Sequence, residues 1–246
     1  MSNKEMIKFE TNQSSQNNSV NIPAVKSRQQ NLNEKGSALI MRPIKQDDRP
    51  ALRNIIRKTW HYDEFCKGQA ANQLAGVFLT SVEADSDHTI VIERDNKPVG
   101  VIMIMDERIK YRPFIRRWNQ IKAIVSLPLS KDGRQASKLF GSVNSTDVIL
   151  RKKVAKDFDA QIRFFALDVS VRGLGLGKKL FESALDAMKQ MNIESFYLYT
   201  DTSCNYHFYQ KRGMHQVACE HQKMTVNNQS SFMSFFLYEG KVSQLI

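Results

Sequence analysis

The chain has 246 residues, of which 41% are hydrophobic and 25% are charged, and its formal net charge is +11. This composition is typical of a globular protein with one substantial core. The first 37 residues contain no apolar run of signal-peptide length, and nowhere does the chain have the roughly 18 consecutive apolar residues of a membrane-spanning helix. Three widely spaced cysteines without a C-x-x-C pair argue against a disulfide framework. We therefore expect a cytoplasmic protein with no membrane partner. The positive charge by itself suits nucleic acid, an acidic membrane or an anionic cofactor, and it does not choose among these.

Residues 1–37 differ in composition from the rest of the chain. They are rich in Asn, Gln, Ser and Lys and contain one aromatic residue, Phe9. Such a segment cannot bury enough apolar surface to offset the entropy lost on ordering. We predict a disordered tail over residues 1–37 and one folded domain over residues 38–246.

The folded domain begins with a predicted strand and two helices. A short apolar run predicts the strand Leu39–Arg42. Asp47 or Asp48, with Pro50 just behind, predicts the N-cap of the first helix. Apolar residues at helical spacing predict the second helix over Glu64–Leu79.

A β-hairpin is predicted next. Two β-rich runs, His88–Glu93 and Val99–Met105, flank a short polar stretch at residues 94–97. This pattern is typical of two antiparallel strands joined by a tight turn.

The segment from Glu107 to Ala160 contains 13 Lys or Arg and 5 Asp or Glu, so it carries most of the excess positive charge. Helical periodicity appears over Phe114–Val125 and again over Val148–Phe158, with a loop between them. We interpret residues 107–160 as an insertion. Aromatic and cationic residues alternate over Tyr111–Trp118, which is compatible with a cap over a substrate, a solvated insertion, or a nucleic-acid surface.

Regular structure resumes with a strand, a glycine-rich turn and an amphipathic helix. The strand is predicted over Ile162–Val169, and the helix presents apolar residues from Leu180 to Met191 on one face. The remaining predicted elements are a strand (Ser195–Thr200), a short helix (Ser203–Lys211) ended by Gly213, and a terminal strand pair (Met214–Glu220 and Phe232–Tyr238).

The glycine-rich turn has the features of an anion-binding loop. Residues Arg172 to Lys178 read Arg-Gly-Leu-Gly-Leu-Gly-Lys and lie between a strand and a helix. Free backbone N–H groups and the helix dipole attract phosphate at such a position. Alternate glycines allow the main chain to approach phosphate oxygens, and the two cations add charge. The alternative is that the glycines only form a tight turn.

Two common nucleotide-binding motifs do not fit this turn. A Rossmann fingerprint requires its third glycine where this chain has Lys178. A Walker A loop requires a wider spacing than that of Gly173 and Gly177, and it requires Ser or Thr in place of Lys179. Both classes are therefore excluded.

The turn resembles the cofactor signature of the GNAT superfamily of N-acetyltransferases, which is Arg or Gln, two residues, Gly, one residue, then Gly or Ala. Arg172, Gly175 and Gly177 match this signature. The resemblance extends in element order from about Leu39 to Tyr238, interrupted by the basic insertion. It implies an α/β (α+β) fold with a mixed, mostly antiparallel central sheet flanked by helices and a helical insertion. It also implies acetyl-CoA as co-substrate and no metal.

The resemblance further assigns site residues. The end of the strand before the turn would bind pantetheine as an added strand does, and the turn would hold the pyrophosphate. Residues 205–214 resemble the family's second cofactor segment, with Tyr209 in the position of its tyrosine. Tyr209 is the candidate catalytic acid, and packing on the preceding strand is the alternative. The implied cofactor-binding residues are Leu167, Asp168, Val169, Arg172, Gly173, Leu174, Gly175, Leu176, Gly177, Lys178 and Asn205.

Acetyl transfer also requires a group that accepts a proton from the amine. Cys204 invites a covalent mechanism, but the sequence shows no paired histidine to activate it, and a small packed residue is preferred. The histidines lack zinc-binding spacing, so we predict no metal site. Ionisable residues near predicted strand ends are candidate bases, although none has distinctive spacing and a surface or capping role is the alternative for each. They are Glu93, Asp106, Glu107, Asp168, Asp201 and His207.

These patterns predict an enzyme that moves an acetyl group from acetyl-CoA to a primary amine by direct attack on the thioester. The acceptor can be a small molecule or a peptide amine. The alternatives are a nucleic-acid-binding protein that uses the domain as a scaffold, which is less favoured, and a CoA-binding sensor without turnover. The terminal strand pair exposes an edge, and we expect a monomer or a homodimer.

Overall fold

The computed structural model describes residues 38–65, 69–110, 145–226 and 229–245, and the predicted tail lies outside them. Within these residues, seven strands form one sheet in the order β1-β2-β3-β4-β5-β7-β6. Neighbouring strands pair antiparallel except β4 and β5, which are parallel. The strands are β1 (Leu39–Pro43), β2 (His88–Arg94), β3 (Lys97–Asp106), β4 (Ala160–Leu167), β5 (Ser195–Asp201), β6 (His215–Val226) and β7 (Gln229–Lys241). The helices are α1 (Arg49–Thr59), α2 (Tyr62–Phe65), α3 (Gln69–Asp85), α4 (145–153), α5 (Leu176–Gln190), α6 (His207–Gln210) and α7 (Val242–Leu245).

The N-cap of α1, predicted at Asp47 or Asp48, is confirmed at Asp48. Asp48 occupies the N-cap position of α1, but its side chain makes no capping hydrogen bond. Its carboxylate accepts hydrogen bonds from the guanidinium of Arg42 and from the backbone N–H of Lys45. Because the side chain of Arg42 is only 12% exposed, its charge requires a carboxylate partner. Pro50 does lie in the first turn of α1, as predicted.

The second predicted helix is divided in two. The region predicted as Glu64–Leu79 contains the end of α2 and the first part of α3, which continues to Asp85. Leu74 and Val77 are buried on the sheet side of α3, as their helical spacing indicated.

The predicted hairpin is confirmed. β2 and β3 pair antiparallel along their length. The residues at the turn, Asp95 and Asn96, both have positive φ, 50° and 61°. This conformation is typical of the two-residue turn whose twist matches that of paired strands, and Asp and Asn tolerate it better than most residues.

Helices cover both faces of the sheet. On one face, α5 packs against apolar side chains that include Ile162 and Leu198. On the opposite face, α1 and α3 cover residues such as Val101. A third apolar cluster joins Leu150 of α4 to Tyr197 of β5. Since successive residues of a strand point to opposite faces, α4 lies on the same face as α1 and α3.

β4 and β5 separate after a short parallel ladder. The last pair is Ile162 with Leu198, whereas β4 continues to Leu167 and β5 to Asp201. Arg163 comes immediately after this pair and has no partner in the shifted β3–β4 register, which indicates a β-bulge. The diverging strands leave an opening in the sheet, where the edge of β4 is not paired with β5.

The described part of the predicted insertion comprises residues 107–110 and 145–160. The helix predicted over Val148–Phe158 is α4, which begins and ends earlier than expected. Leu150 and Phe158 are both buried in the third apolar cluster, so this end of the insertion belongs to the core. The predicted helix Phe114–Val125 and the aromatic-cationic stretch Tyr111–Trp118 lie outside the described residues.

Several predicted boundaries near the site are wrong. β4 ends at Leu167 rather than Val169, because Asp168 accepts a hydrogen bond from the backbone N–H of Ser170 and begins a 3-10 turn. α6 is shorter than the predicted helix Ser203–Lys211. β6 and β7 are longer than predicted and form the far edge of the sheet.

Candidate active site

The glycine turn presents free backbone N–H groups at the N-terminus of α5. Gly173 and Gly175 have left-handed φ angles of 81° and 75°, which favour glycine. The first N–H groups of an α-helix have no intrahelical acceptor. At the N-terminus of α5 the N-cap residue is Gly175, which has no side chain that could accept from them. A Cβ at either glycine would meet nothing within 4 Å. The outer side of the turn is therefore open, and the helix dipole makes it attractive to an anion.

Gly177 has a different role, which is close packing. A Cβ at this position would lie 3.2 Å from Cδ1 of Leu167 and 3.4 Å from the ring of Phe208. The glycine thus allows α5 to approach the end of β4 and the helix α6. This contact holds the three elements of the candidate site together.

The cationic side chains of the turn are exposed on either side of the N–H groups. Arg172 donates a 3.3 Å hydrogen bond from Nη2 to Oγ1 of Thr59, at the end of α1. Lys178 lies on the first turn of α5, with its Nζ 3.6 Å from a carboxylate oxygen of Glu182. Leu174 is exposed between them and Leu176 is buried beneath the turn. The turn therefore combines free N–H donors with positive charge.

Leu167, Asp168 and Val169 lie where β4 gives way to the turn. The N–H of Asp168 donates to the carbonyl of Val99 at 2.8 Å. Burial acts to raise the pKa of Asp168, but hydrogen bonds from the hydroxyl and N–H of Ser170 hold this pKa below its usual range. Asp168 is thus a structural carboxylate that shapes the turn, and it is poorly suited to accept a proton near neutral pH.

Tyr209 lies on α6 and packs on the face of the sheet that α5 covers. Its ring is 6.3 Å from that of Phe181 and 6.1 Å from that of Tyr238, centroid to centroid. Burial raises its pKa; Cys204 acts in the same direction and Arg212 opposes it. The phenol therefore remains protonated well above neutral pH.

Cys204 and Asn205 lie in the connection between β5 and α6. Burial, reinforced by Asp201, raises the pKa of the Cys204 thiol. Asn205 is exposed, and its carbonyl accepts a hydrogen bond from the N–H of Phe208 at 3.1 Å. Cys204 is close enough to Tyr209 to interact with it electrostatically, and the raised pKa keeps Cys204 as a thiol rather than a thiolate nucleophile.

Two of the candidate bases are held by arginines. Glu93 forms an ion pair with Arg42, and Asp106 accepts hydrogen bonds from Nε and Nη2 of Arg108 at 2.9 and 2.7 Å. Each of these carboxylates is therefore engaged in an ion pair within the fold.

The remaining candidate bases, Glu107, Asp201 and His207, are hydrogen-bonded to uncharged groups. Glu107 accepts a 2.5 Å hydrogen bond from Oη of Tyr197, and Asp201 accepts hydrogen bonds from the N–H and hydroxyl of Ser203. Both lie close to β5 on the face of α4. His207 is exposed on α6, with its Nδ1 2.8 Å from the side-chain oxygen of Gln210.

A cationic pocket that sequence analysis did not identify adjoins the turn. It has a volume of about 290 Å³ and lies between α5, α6 and α7. The guanidinium of Arg212 stacks 3.4 Å from the ring centroid of Phe208, and burial lowers its pKa. The pocket is lined by Lys178, Phe181, Glu182, Lys211, Arg212 and Leu245.

Residues 49–214 match the model of the acetyltransferase (GNAT) family. The chain belongs to the GNAT acetyltransferase family. Membership over this span confirms the resemblance predicted from the glycine turn and the class of enzyme predicted with it. The mixed, mostly antiparallel sheet flanked by helices is likewise the expected architecture.

Two solved structures share the fold of this GNAT acetyltransferase. An N-acetyltransferase from Staphylococcus aureus Mu50 aligns with a TM-score of 0.50 and 11% sequence identity, over 83% of this chain and 98% of that chain. The protein SsHAT aligns with a TM-score of 0.54 and 19% identity, over 83% and 98% of the two chains. A search of curated proteins finds no significant match.

The described residues of the acetyltransferase show neither a membrane-spanning helix nor a cluster of metal ligands. None of the helices in this part of the chain is both long and apolar enough to cross a membrane. Among the same residues, His, Cys, Asp and Glu side chains do not assemble in groups of three or more that could hold a metal ion.

Proposed function

We propose that this GNAT acetyltransferase moves an acetyl group from acetyl-CoA to a primary amine by direct attack of the amine nitrogen on the thioester. The observation that carries the proposal is the position of the open glycine turn beside the gap between β4 and β5. An extended pantetheine chain in this gap would meet the unpaired edge of β4 as far as Leu167, and then the backbone of Val169 in the 3-10 turn that follows.

The turn and the adjoining pocket suit the anionic parts of CoA. N–H groups from Gly173 to Lys178 would donate to the pyrophosphate, and Arg172 would neutralise part of its charge. Lys211 and Arg212 line the pocket next to the turn, which suits the 3′-phosphate of the adenosine. When bound, acetyl-CoA supplies the activated acetyl group, and the protein positions it.

We assign the acid role to Tyr209. Its raised pKa keeps the hydroxyl protonated at neutral pH, as a donor to the departing thiolate requires. Its location on α6, packed against the first turns of α5 through Phe181, is on the same face of the sheet as the glycine turn.

Direct attack is favoured over a covalent acetyl-enzyme. Of the two cysteines that the structure describes, Cys204 is the one next to the site, and burial raises the pKa of its thiol. A nucleophilic cysteine requires the opposite shift, because the thiolate is the reactive form.

A thiol-release assay with acetyl-CoA and a panel of small, peptide and lysine amines tests the proposal. The wild type should release CoA thiol with at least one amine. Gly175→Asp should abolish acetyl-CoA binding in calorimetry. The new carboxylate would occupy the N-terminus of α5 and repel the pyrophosphate that we propose to bind there. Gly175→Asn is the matched control, since Asn tolerates the left-handed backbone without the charge.

Two outcomes would overturn parts of this assignment. If the wild type binds no acetyl-CoA, the proposed use of the turn is wrong. If it binds acetyl-CoA but releases thiol with none of the amines, the protein is a CoA-binding sensor rather than a transferase.

A further inference from the structure

One carboxylate faces the point at which β4 and β5 separate. The residues that follow the last pair are Arg163 on β4 and Tyr199 on β5. Asp147, in the first turn of α4, lies on the same side of this helix as Leu150, which packs in one cluster with Tyr197 and Tyr199 of β5. Asp147 is half-buried there and interacts electrostatically with Arg163, with Tyr199 and with Asp201 at the end of β5. Residues from the two diverging strands thus converge on a side chain that the insertion supplies.

The groups around Asp147 are fixed by contacts of their own. Nη2 of Arg163 donates to Oδ2 of Asp85 at 2.8 Å, and its Nη1 donates to Oε1 of Gln161 at 3.2 Å. Nε of Arg163 is buried without a hydrogen-bond partner among the described residues. The guanidinium of Arg163 is therefore hydrogen-bonded to Asp85 of α3 and to Gln161, and its effect on Asp147 is electrostatic.

Asp147 is on the opposite face of the sheet from Tyr209. Tyr197 and Tyr199 alternate with Leu198, whose side chain packs beneath α5, so the two tyrosines point to the face that α4 covers. Tyr209 packs on the α5 face. The opening between β4 and β5 connects the two faces of the sheet. The proposed acid, Tyr209, lies on the α5 face, and the carboxylate of Asp147 lies on the α4 face.

We propose that Asp147 is the catalytic base, which accepts the proton of the acceptor amine at the mouth of the β4–β5 opening. This assignment rests on the proposed function and adds the side from which the amine enters. The acceptor would approach from the α4 face, between Asp147 and the tyrosines of β5, while the thioester enters from the α5 face.

The proton transfers balance in this arrangement. The amine nitrogen forms a bond with the thioester carbonyl carbon, and the carbon–sulfur bond breaks. The proton lost by nitrogen goes to the Asp147 carboxylate, and the departing sulfur takes a proton from Tyr209. Release of the proton from Asp147 to solvent and uptake of one by Tyr209 restore both groups.

The ionisation of Asp147 suits this role. Burial raises its pKa to about 7, Arg163 opposes the shift and Asp201 reinforces it. A base is most effective when its pKa is near the working pH. Other charged groups facing the same space are Arg151 on α4, which lies over the Tyr197 ring, and Glu107, which Tyr197 binds.

The pH dependence of kcat/KM for the amine tests this proposal. The wild type should lose activity below an apparent pKa of about 7. Asp147→Asn should lower kcat by on the order of 100-fold and remove this acidic limb, with acetyl-CoA affinity unchanged. Asp147→Glu should recover part of kcat. Asp186→Asn, at an exposed carboxylate on α5, is the control and should behave like the wild type.

A second measurement does not depend on turnover. Carbon-13 NMR titration of the Asp147 carboxyl, assigned by its loss in Asp147→Asn, should give a pKa of about 7. A value near that of an ordinary aspartate, or retention of both kcat and the acidic limb in Asp147→Asn, would overturn the assignment and leave the proposed acetyl transfer intact. Absence of thiol release by the wild type would instead overturn both.

Discussion

Arg42 and Asp48 form a two-point ion pair beneath α1, with Nη1 2.7 Å from Oδ2 and Nη2 2.8 Å from Oδ1. The same guanidinium also contacts Glu93 on β2. The pair thus ties the first strand and the first helix to the hairpin. Both side chains are nearly buried, 12% and 4% exposed, so removal of the cation would leave two carboxylates in a poorly solvated site.

Arg42→Leu should lower the free energy of unfolding by about 3 kcal/mol at pH 7. Burial acts to raise the pKa of Asp48, but Arg42 and the N–H of Lys45 hold it below its usual range. A lowered folded-state pKa stabilises the protein above the unfolded pKa and loses this effect as the pH falls. The deficit of Arg42→Leu in urea unfolding should therefore shrink below about pH 4.

Arg49→Leu is the matched control for this experiment. Arg49 pairs with Glu83 at 3.1 Å, but its side chain is 40% exposed, and the change should stay within about 1 kcal/mol. An equal loss of stability in both variants would show that the buried pair has no special role.

Tyr209→Phe should lower kcat by on the order of 100-fold while the affinity for acetyl-CoA changes little. The substitution removes the hydroxyl but keeps the ring that packs on Phe181 and Tyr238. Single-turnover kinetics and calorimetry would separate the two effects. Tyr206→Phe, on a neighbouring ring that packs against Phe236, is the control. Unchanged turnover in Tyr209→Phe would exclude Tyr209 as the acid.

Lys211→Ala should weaken acetyl-CoA binding about tenfold at low ionic strength, because it removes a cation from the pocket beside the turn. The same variant should bind acetyl-3′-dephospho-CoA as well as the wild type does. Lys189→Ala, at an exposed lysine in the last turn of α5, is the control in calorimetry. An equal loss for both ligands would show that the pocket does not bind the 3′-phosphate.

Cys204→Ala should retain at least half of the wild-type kcat, and mass spectrometry of the wild type mixed with acetyl-CoA alone should show no acetylated protein. The raised pKa of the thiol is the reason. Loss of turnover together with an acetyl adduct on Cys204 would replace direct attack by a covalent mechanism.

The amino-acid sequence predicted the features that depend on short-range patterns. The glycine turn is recognisable because a left-handed backbone at Gly173 and Gly175 and close packing at Gly177 each demand glycine. The β2–β3 hairpin is recognisable because apolar runs and a polar turn are adjacent in the chain. These features were sufficient to predict the family, and they are the basis on which we propose that the turn binds an anion.

Contacts between distant segments were decided by the tertiary structure. The sequence predicts an N-cap at Asp47 or Asp48, but only the tertiary structure shows that the side chain of Asp48 binds Arg42 of β1, which also contacts Glu93 of β2. Asp147 belongs to a basic insertion with no recognisable motif, and only the fold brings it to Arg163 and Tyr199. The physical reason is that burial and the charges contributed by other strands set the ionisation of a carboxylate, and neither can be read from its neighbours along the chain.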